Sequence, residues 1–76
     1  MSNPAPVLPL SSPEQVILKA VAASAEIPAR IRQRAGIILR AAKGVPNNRI
    51  AQDLSITRKS VLLWKGRFLA QGIRGL

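Results

Sequence analysis

A chain of 76 residues with no cysteine, histidine or tyrosine has room for one small domain and little chemistry of its own. Its three acids, Glu14, Glu26 and Asp53, are scattered and make a poor carboxylate pair, so neither an enzyme, a metal site, a cofactor nor a small-molecule substrate is expected. The formal net charge of +9 is uneven, with eleven Lys or Arg from Arg30 onward against one acid, a density that attracts polyanions, DNA or RNA first among them.

Residues 1–11 are rich in Pro and Ser and read as a disordered tail. Val7, Leu8 and Leu10 could dock on the domain, but a loose tail is the expectation. Pro4, Pro6 and Pro9 break the start, which lacks the basic run of a secretory signal. No segment approaches the roughly 20 apolar residues that span a bilayer. The expected compartment is the cytoplasm, and no membrane partner is expected.

A domain is expected over 12–76. Its first helix opens with Ser12 as N-cap, Pro13 at the first helical position and Gln15 completing an S-x-x-Q capping box. Val16, Ile17, Ala20 and Val21 give it an apolar stripe as far as about Ser24. A second helix runs from Pro28 to a stop at Gly44, a residue suited to the left-handed position after a helix. Ile31, Ala35, Ile38, Leu39 and Ala42 share one face. Arg32, Gln33, Arg40 and Lys43 fall on the other, either as phosphate contacts or as a solvated face, the latter being the commoner use of such a stripe.

A short third helix spans about Asn48 to Leu54 with Asn47 as its cap. Ser55-Ile56 turns the chain, Thr57 caps a last helix to about Ala70, and Gly72 ends it. Two short helices joined so tightly form a helix-turn-helix over 47–70. That arrangement needs a small residue where the helices cross, and Ala51 supplies it, flanked by Ile50 and Leu54. Ten residues later comes Val61, and three beyond that Trp64; both should face inward with Ile56 and Phe68.

The same rotation puts Lys59, Leu62, Leu63 and Gly66 on the far side, flanked by Arg58 and Arg67. Backbone N–H groups at the helix start, with the hydroxyls of Thr57 and Ser60, can hold a phosphate. Arg58 and Lys59 can reach guanine edges or phosphates. Asn48 and Arg49, on the preceding helix, complete the candidate DNA-binding set. Leu62 and Leu63 are odd on a groove-facing surface: they could touch thymine methyls, pack on a partner or mark a weakened reader. Gly66 costs a helix about 1 kcal/mol relative to alanine.

From about Leu10 onward the chain resembles the N-terminal DNA-binding region of bacterial transposases of the insertion-sequence-630 family, relatives of the mariner transposases. The pieces that carry the resemblance are P-A-R-I-R-Q-R-A-G-I-I-L-R-A-A-K-G at 28–44, I-A-Q-D-L-S-I-T-R-K-S-V at 50–61 and W-K-G-R-F-L-A-Q-G-I-R-G-L at 64–76, the last being the most distinctive. The resemblance implies an all-α, homeodomain-like bundle of about four helices that binds double-stranded DNA at the terminal inverted repeats of a mobile element. In such transposases a catalytic domain with three carboxylates and divalent metal follows. It is not in these residues, which implies a truncated or separately encoded N-terminal fragment, with a transposase catalytic subunit or a second copy as protein partner.

This chain departs from the family pattern at several positions. Pro46 stands where a polar cap is usual, Arg49 where glutamate is frequent, and Ser55 where glycine is usual, so Ser55 is expected in the left-handed region. Leu63 and Gly66 stand where basic residues are frequent. Three other functions compete with element-end binding: a stand-alone helix-turn-helix transcriptional regulator, a non-functional transposase remnant, and a membrane-active cationic peptide built on the basic second helix. A shared core for all four helices speaks against the last.

Overall fold

The computed structural model describes residues 7–76, and the elements among them are helical: α1 (Ser12–Ala23), α2 (Ala29–Ala42), α3 (Asn47–Leu54), α4 (Arg58–Gln71) and a closing 3-10 turn, Gly72–Gly75. The all-α expectation holds.

α1 is capped one residue earlier than expected. Ser11, not Ser12, is the N-cap: its hydroxyl accepts the Glu14 N–H at 3.2 Å, and Glu14 Oε1 accepts the Ser11 N–H at 3.0 Å. The run Ser11-Ser12-Pro13-Glu14-Gln15 offers two overlapping capping boxes. The register with a carboxylate prevails because its charge lies at the positive end of the helix dipole. The buried face is also rotated. Leu18 is 1% exposed, with Val21 and Ala22 packed beside it, whereas Val16 is 68% exposed and Ile17 47%.

α2 lies at the centre and touches α1, α3 and α4. Its second half is consequently buried nearly all round: Ala35, Gly36, Ile37, Ile38 and Ala41 are inside, and Ile31, Leu39 and Ala42 are half-buried. The expected basic stripe is only partly solvated. Gln33 and Lys43 are exposed, but Arg32 and Arg40 are half-buried, Arg32 Nε donating to the Ile27 carbonyl at 3.0 Å. Gly44 takes φ 81°, as its position after a helix requires, while the Gly44 and Val45 N–H groups donate to the Ala41 and Arg40 carbonyls.

The N-terminal segment just before α1 is not loose. Leu8 is 5% exposed, a member of the main core, and its N–H donates to the Ala41 carbonyl at 3.1 Å. Val7 and Pro9 stay at the surface on either side of it. Residues 1–6 of the tail expected over 1–11 lie outside the described residues.

The helix-turn-helix forms as its spacing demands. Ile50 and Ala51 of α3 and Val61 and Phe68 of α4 are buried, and Leu54, Ile56 and Trp64 pack against them. Between the helices Ser55 adopts φ 55°, ψ 44°, and the Ile56 N–H donates to the Ala51 carbonyl at 2.9 Å. That one left-handed residue turns the chain so that α4 packs against α3, with Ala51 buried.

The tail motif W-x-x-R-F-x-x-x-G-x-x-G-L has a packing reason at almost every fixed position. Phe68 fills the core; Gly72 ends α4 at φ 67°. Gly75 is buried so closely that a Cβ there would stand 2.6 Å from the Arg67 carbonyl oxygen, nearer than any side chain allows. Trp64 is held under Arg34, whose guanidinium lies 3.8 Å from the ring centroid and donates to the Leu76 carbonyl at 2.9 Å. Most of the motif thus fastens the end of α4 to the rest of the domain.

Candidate nucleic-acid interface

The outer surface of α4 begins at a well-made helix start. Thr57 is the N-cap, and its hydroxyl accepts the Ser60 N–H at 3.1 Å and donates to Ser60 Oγ at 3.0 Å. Thr57 is thereby committed to the helix, and one of the two hydroxyl protons is used between them. The N–H groups of Arg58 and Lys59 lie in the first turn, before any intrahelical partner is in reach. An anionic oxygen placed there would meet two backbone donors, the positive end of the dipole and two cationic side chains.

Arg58, Lys59, Leu62, Leu63 and Arg67 are exposed, as is Gly66, and Ser60 is half-buried. At helical spacing Lys59, Leu62, Leu63 and Gly66 face away from Val61, Trp64 and Phe68, with Arg58 and Arg67 flanking them. Arg67 is also 5.2 Å from the Trp64 ring centroid, so it leaves for the surface over the edge of the indole. α4 carries four cations and no carboxylate.

Two of the α3 residues sit beside this surface under different constraints. Asn48 and Arg49 are exposed, and the Asn48 side-chain oxygen accepts the Arg49 N–H at 3.0 Å. Arg49 Nε donates to Asp53 Oδ1 at 3.1 Å, and Arg40 approaches the other carboxylate oxygen at 4.0 Å. Asp53 thus holds two arginines together at the α2–α3 junction. An exposed pair of this kind is worth well under about 1 kcal/mol, so a phosphate can take Arg49 over at little cost.

Asn47 does not cap α3 as its position suggested. Pro46 occupies the N-cap with no side-chain bond, and Asn47 Oδ1 instead accepts from Lys65 Nζ at 2.7 Å. This bond ties the start of α3 to the middle of α4, and it takes Lys65 away from the outer surface. The sequence reading also missed Arg34. The signal was available: Arg34 lies one turn before Ile38, on a buried side of α2, where a guanidinium must find a partner, and Trp64 provides its face.

No helix among the described residues is long and apolar enough to cross a membrane. No curated protein and no solved structure matches the chain. The sequence model of a family described as homeodomain-like domain does match, over residues 28–76, a span that takes in α2, the whole helix-turn-helix and the closing turn. With that match covering well over half of its length, and with the helices in the places such a domain needs them, this chain belongs to the homeodomain-like domain family.

Proposed function

We propose that this chain binds double-stranded DNA by laying the outer surface of α4 in the major groove, and that it does so as the DNA-binding module of a transposase, at the terminal inverted repeats of a mobile element. The observation that carries the binding mode is the composition of that surface. A capped helix start with Arg58 and Lys59 leads into an exposed face free of acids, with Arg67 at its far edge. Arg58, Lys59, Arg67 and Arg49 hold phosphates, and the first two also reach base edges. The transposase origin rests on the three sequence pieces at 28–44, 50–61 and 64–76.

In this reading the chain binds and positions but does not cut. Strand cleavage belongs to a catalytic partner, and the work takes place in the cytoplasm, where the element and its host DNA lie. If about five phosphates are neutralised, log affinity falls with log salt at a slope of about −4 to −5. The test is a titration of element-end duplex and of a scrambled duplex at several salt concentrations. A steep slope with tighter binding to the element end supports the reading. Equal affinity for both leaves a generic polycation and removes the element-end assignment.

A further inference from the structure

The outer surface of α4 has a chemical peculiarity. Beyond its first turn, the middle of this surface carries Leu62, Leu63, Gly66, Leu69 and Ala70, none with a hydrogen-bonding side chain, while the exposed Arg67 and Gln71 lie to one side of them. Leu62 and Leu63 are each 48% exposed. Gly66 is not required by anything inside the chain, because a Cβ built there meets nothing within 4 Å. Helix propensity is given up at Gly66 without any return in internal packing.

We propose that this surface reads thymine methyl groups: Leu62 and Leu63 contact the C5 methyls of successive A·T pairs, and Gly66 lets the helix axis approach the groove floor. The inference rests on the DNA-binding mode proposed above and names what that surface selects. Hydrogen-bonding side chains border the apolar stretch, Arg58 and Lys59 in the first turn and Arg67 and Gln71 to one side. Leu62 and Leu63 themselves can recognise only an apolar feature, and in the major groove of unmodified DNA that feature is the thymine methyl. Charge decides the occupant. Arg58, Lys59 and Arg67 border the leucines, so a second copy would bring like charges together, whereas a phosphate backbone would pair with them.

The experiment uses the full chain and a duplex enriched by it from a randomised pool. Affinity is compared with that for the same duplex carrying uracil for every thymine, which removes the methyls and keeps every hydrogen-bonding group. The wild-type chain is expected to bind the uracil duplex about fourfold more weakly per contacted methyl, about fifteenfold for two. A Leu62→Ser/Leu63→Ser variant, altered only at the surface, should bind both duplexes alike with its salt slope kept. Gly66→Ala should raise Tm by about 4–8 °C while weakening DNA binding.

Equal wild-type affinity for the two duplexes overturns the inference, as does full thymine discrimination by the double serine variant. A wild-type dimer that the serine variant turns into a monomer, with discrimination intact, overturns it too and gives the surface to a second copy. A gain in Tm for Gly66→Ala with unchanged affinity removes the close approach. Failure of the DNA-binding reading itself looks different: no duplex is bound in a salt-dependent way.

Discussion

Replacing Ser55 by glycine should stabilise this protein. Ser55 holds φ 55°, ψ 44° and is exposed, so the substitution changes backbone freedom and little else. The left-handed conformation costs an L-residue about 1–2 kcal/mol, a cost glycine escapes. Glycine in turn loses about 0.5–1 kcal/mol more chain entropy on folding. The difference favours Ser55→Gly by about 0.5–1 kcal/mol, which for a domain of this size is a rise of about 2–8 °C in Tm. Ser55→Val supplies the opposite sign, since a β-branched residue fits the left-handed region worst. Thermal unfolding of the three proteins followed by circular dichroism gives the ranking directly. If Ser55→Gly melts at or below the parent, the turn does not have this geometry, and the direction in which α4 leaves α3 has been misassigned.

Other changes probe the rest of the frame. Gly75→Ala pushes a Cβ to 2.6 Å from the Arg67 carbonyl and should cost about 1–3 kcal/mol in denaturant unfolding, a large effect for so small a change near a chain end. Leu8→Ala removes a side chain that is 5% exposed, and a loss of about 2–3 kcal/mol is expected; a loose tail would give none. Arg34→Met keeps the stem but removes the cation over Trp64 and the bond to the Leu76 carbonyl. It should cost about 1–2 kcal/mol and shift the tryptophan emission, whereas Arg58→Met, on the outer surface, should leave both unchanged.

The parts of this fold that the sequence disclosed are those set by nearby residues. Gly44 and Gly72 end their helices, Thr57 starts α4, and Ser55 turns left-handed, each through bonds to neighbours within a few positions. Ala51, Val61 and Phe68 were readable too, because the spacing of a helix-turn-helix leaves few ways to bury them. The inward faces of α1 and α2 were harder. α1 is apolar nearly all round, so periodicity does not choose between Val16-Ile17 and Leu18-Ala22. α2 is enclosed by three helices, which buries Ile37 and Ala41 with Ala35 and Ile38 and leaves Ile31, Leu39 and Ala42 of the expected stripe half-buried.

At the candidate interface, the sequence named the exposed residues but not which of them already have partners. The Asn47–Lys65 bond joins positions 18 apart, and Arg34 meets Trp64 across two helices, distances at which no local pattern operates. Thr57 illustrates the same limit on a smaller scale. Its residue type suits both a cap and a phosphate contact, and only the bond from the Ser60 N–H shows its oxygen in use as the cap.

Amide chemical shifts of isotope-labelled protein, followed as duplex DNA is added at low salt, test most directly whether α4 is the binding element. The largest movements should fall on Thr57 to Leu63, Gly66 and Arg67, with smaller ones at Asn48 and Arg49, while Val16, Ile17 and Ala20 of α1 stay in place. Shifts centred on α1, or spread evenly over every exposed cation with none at Leu62, Leu63 and Gly66, would contradict it.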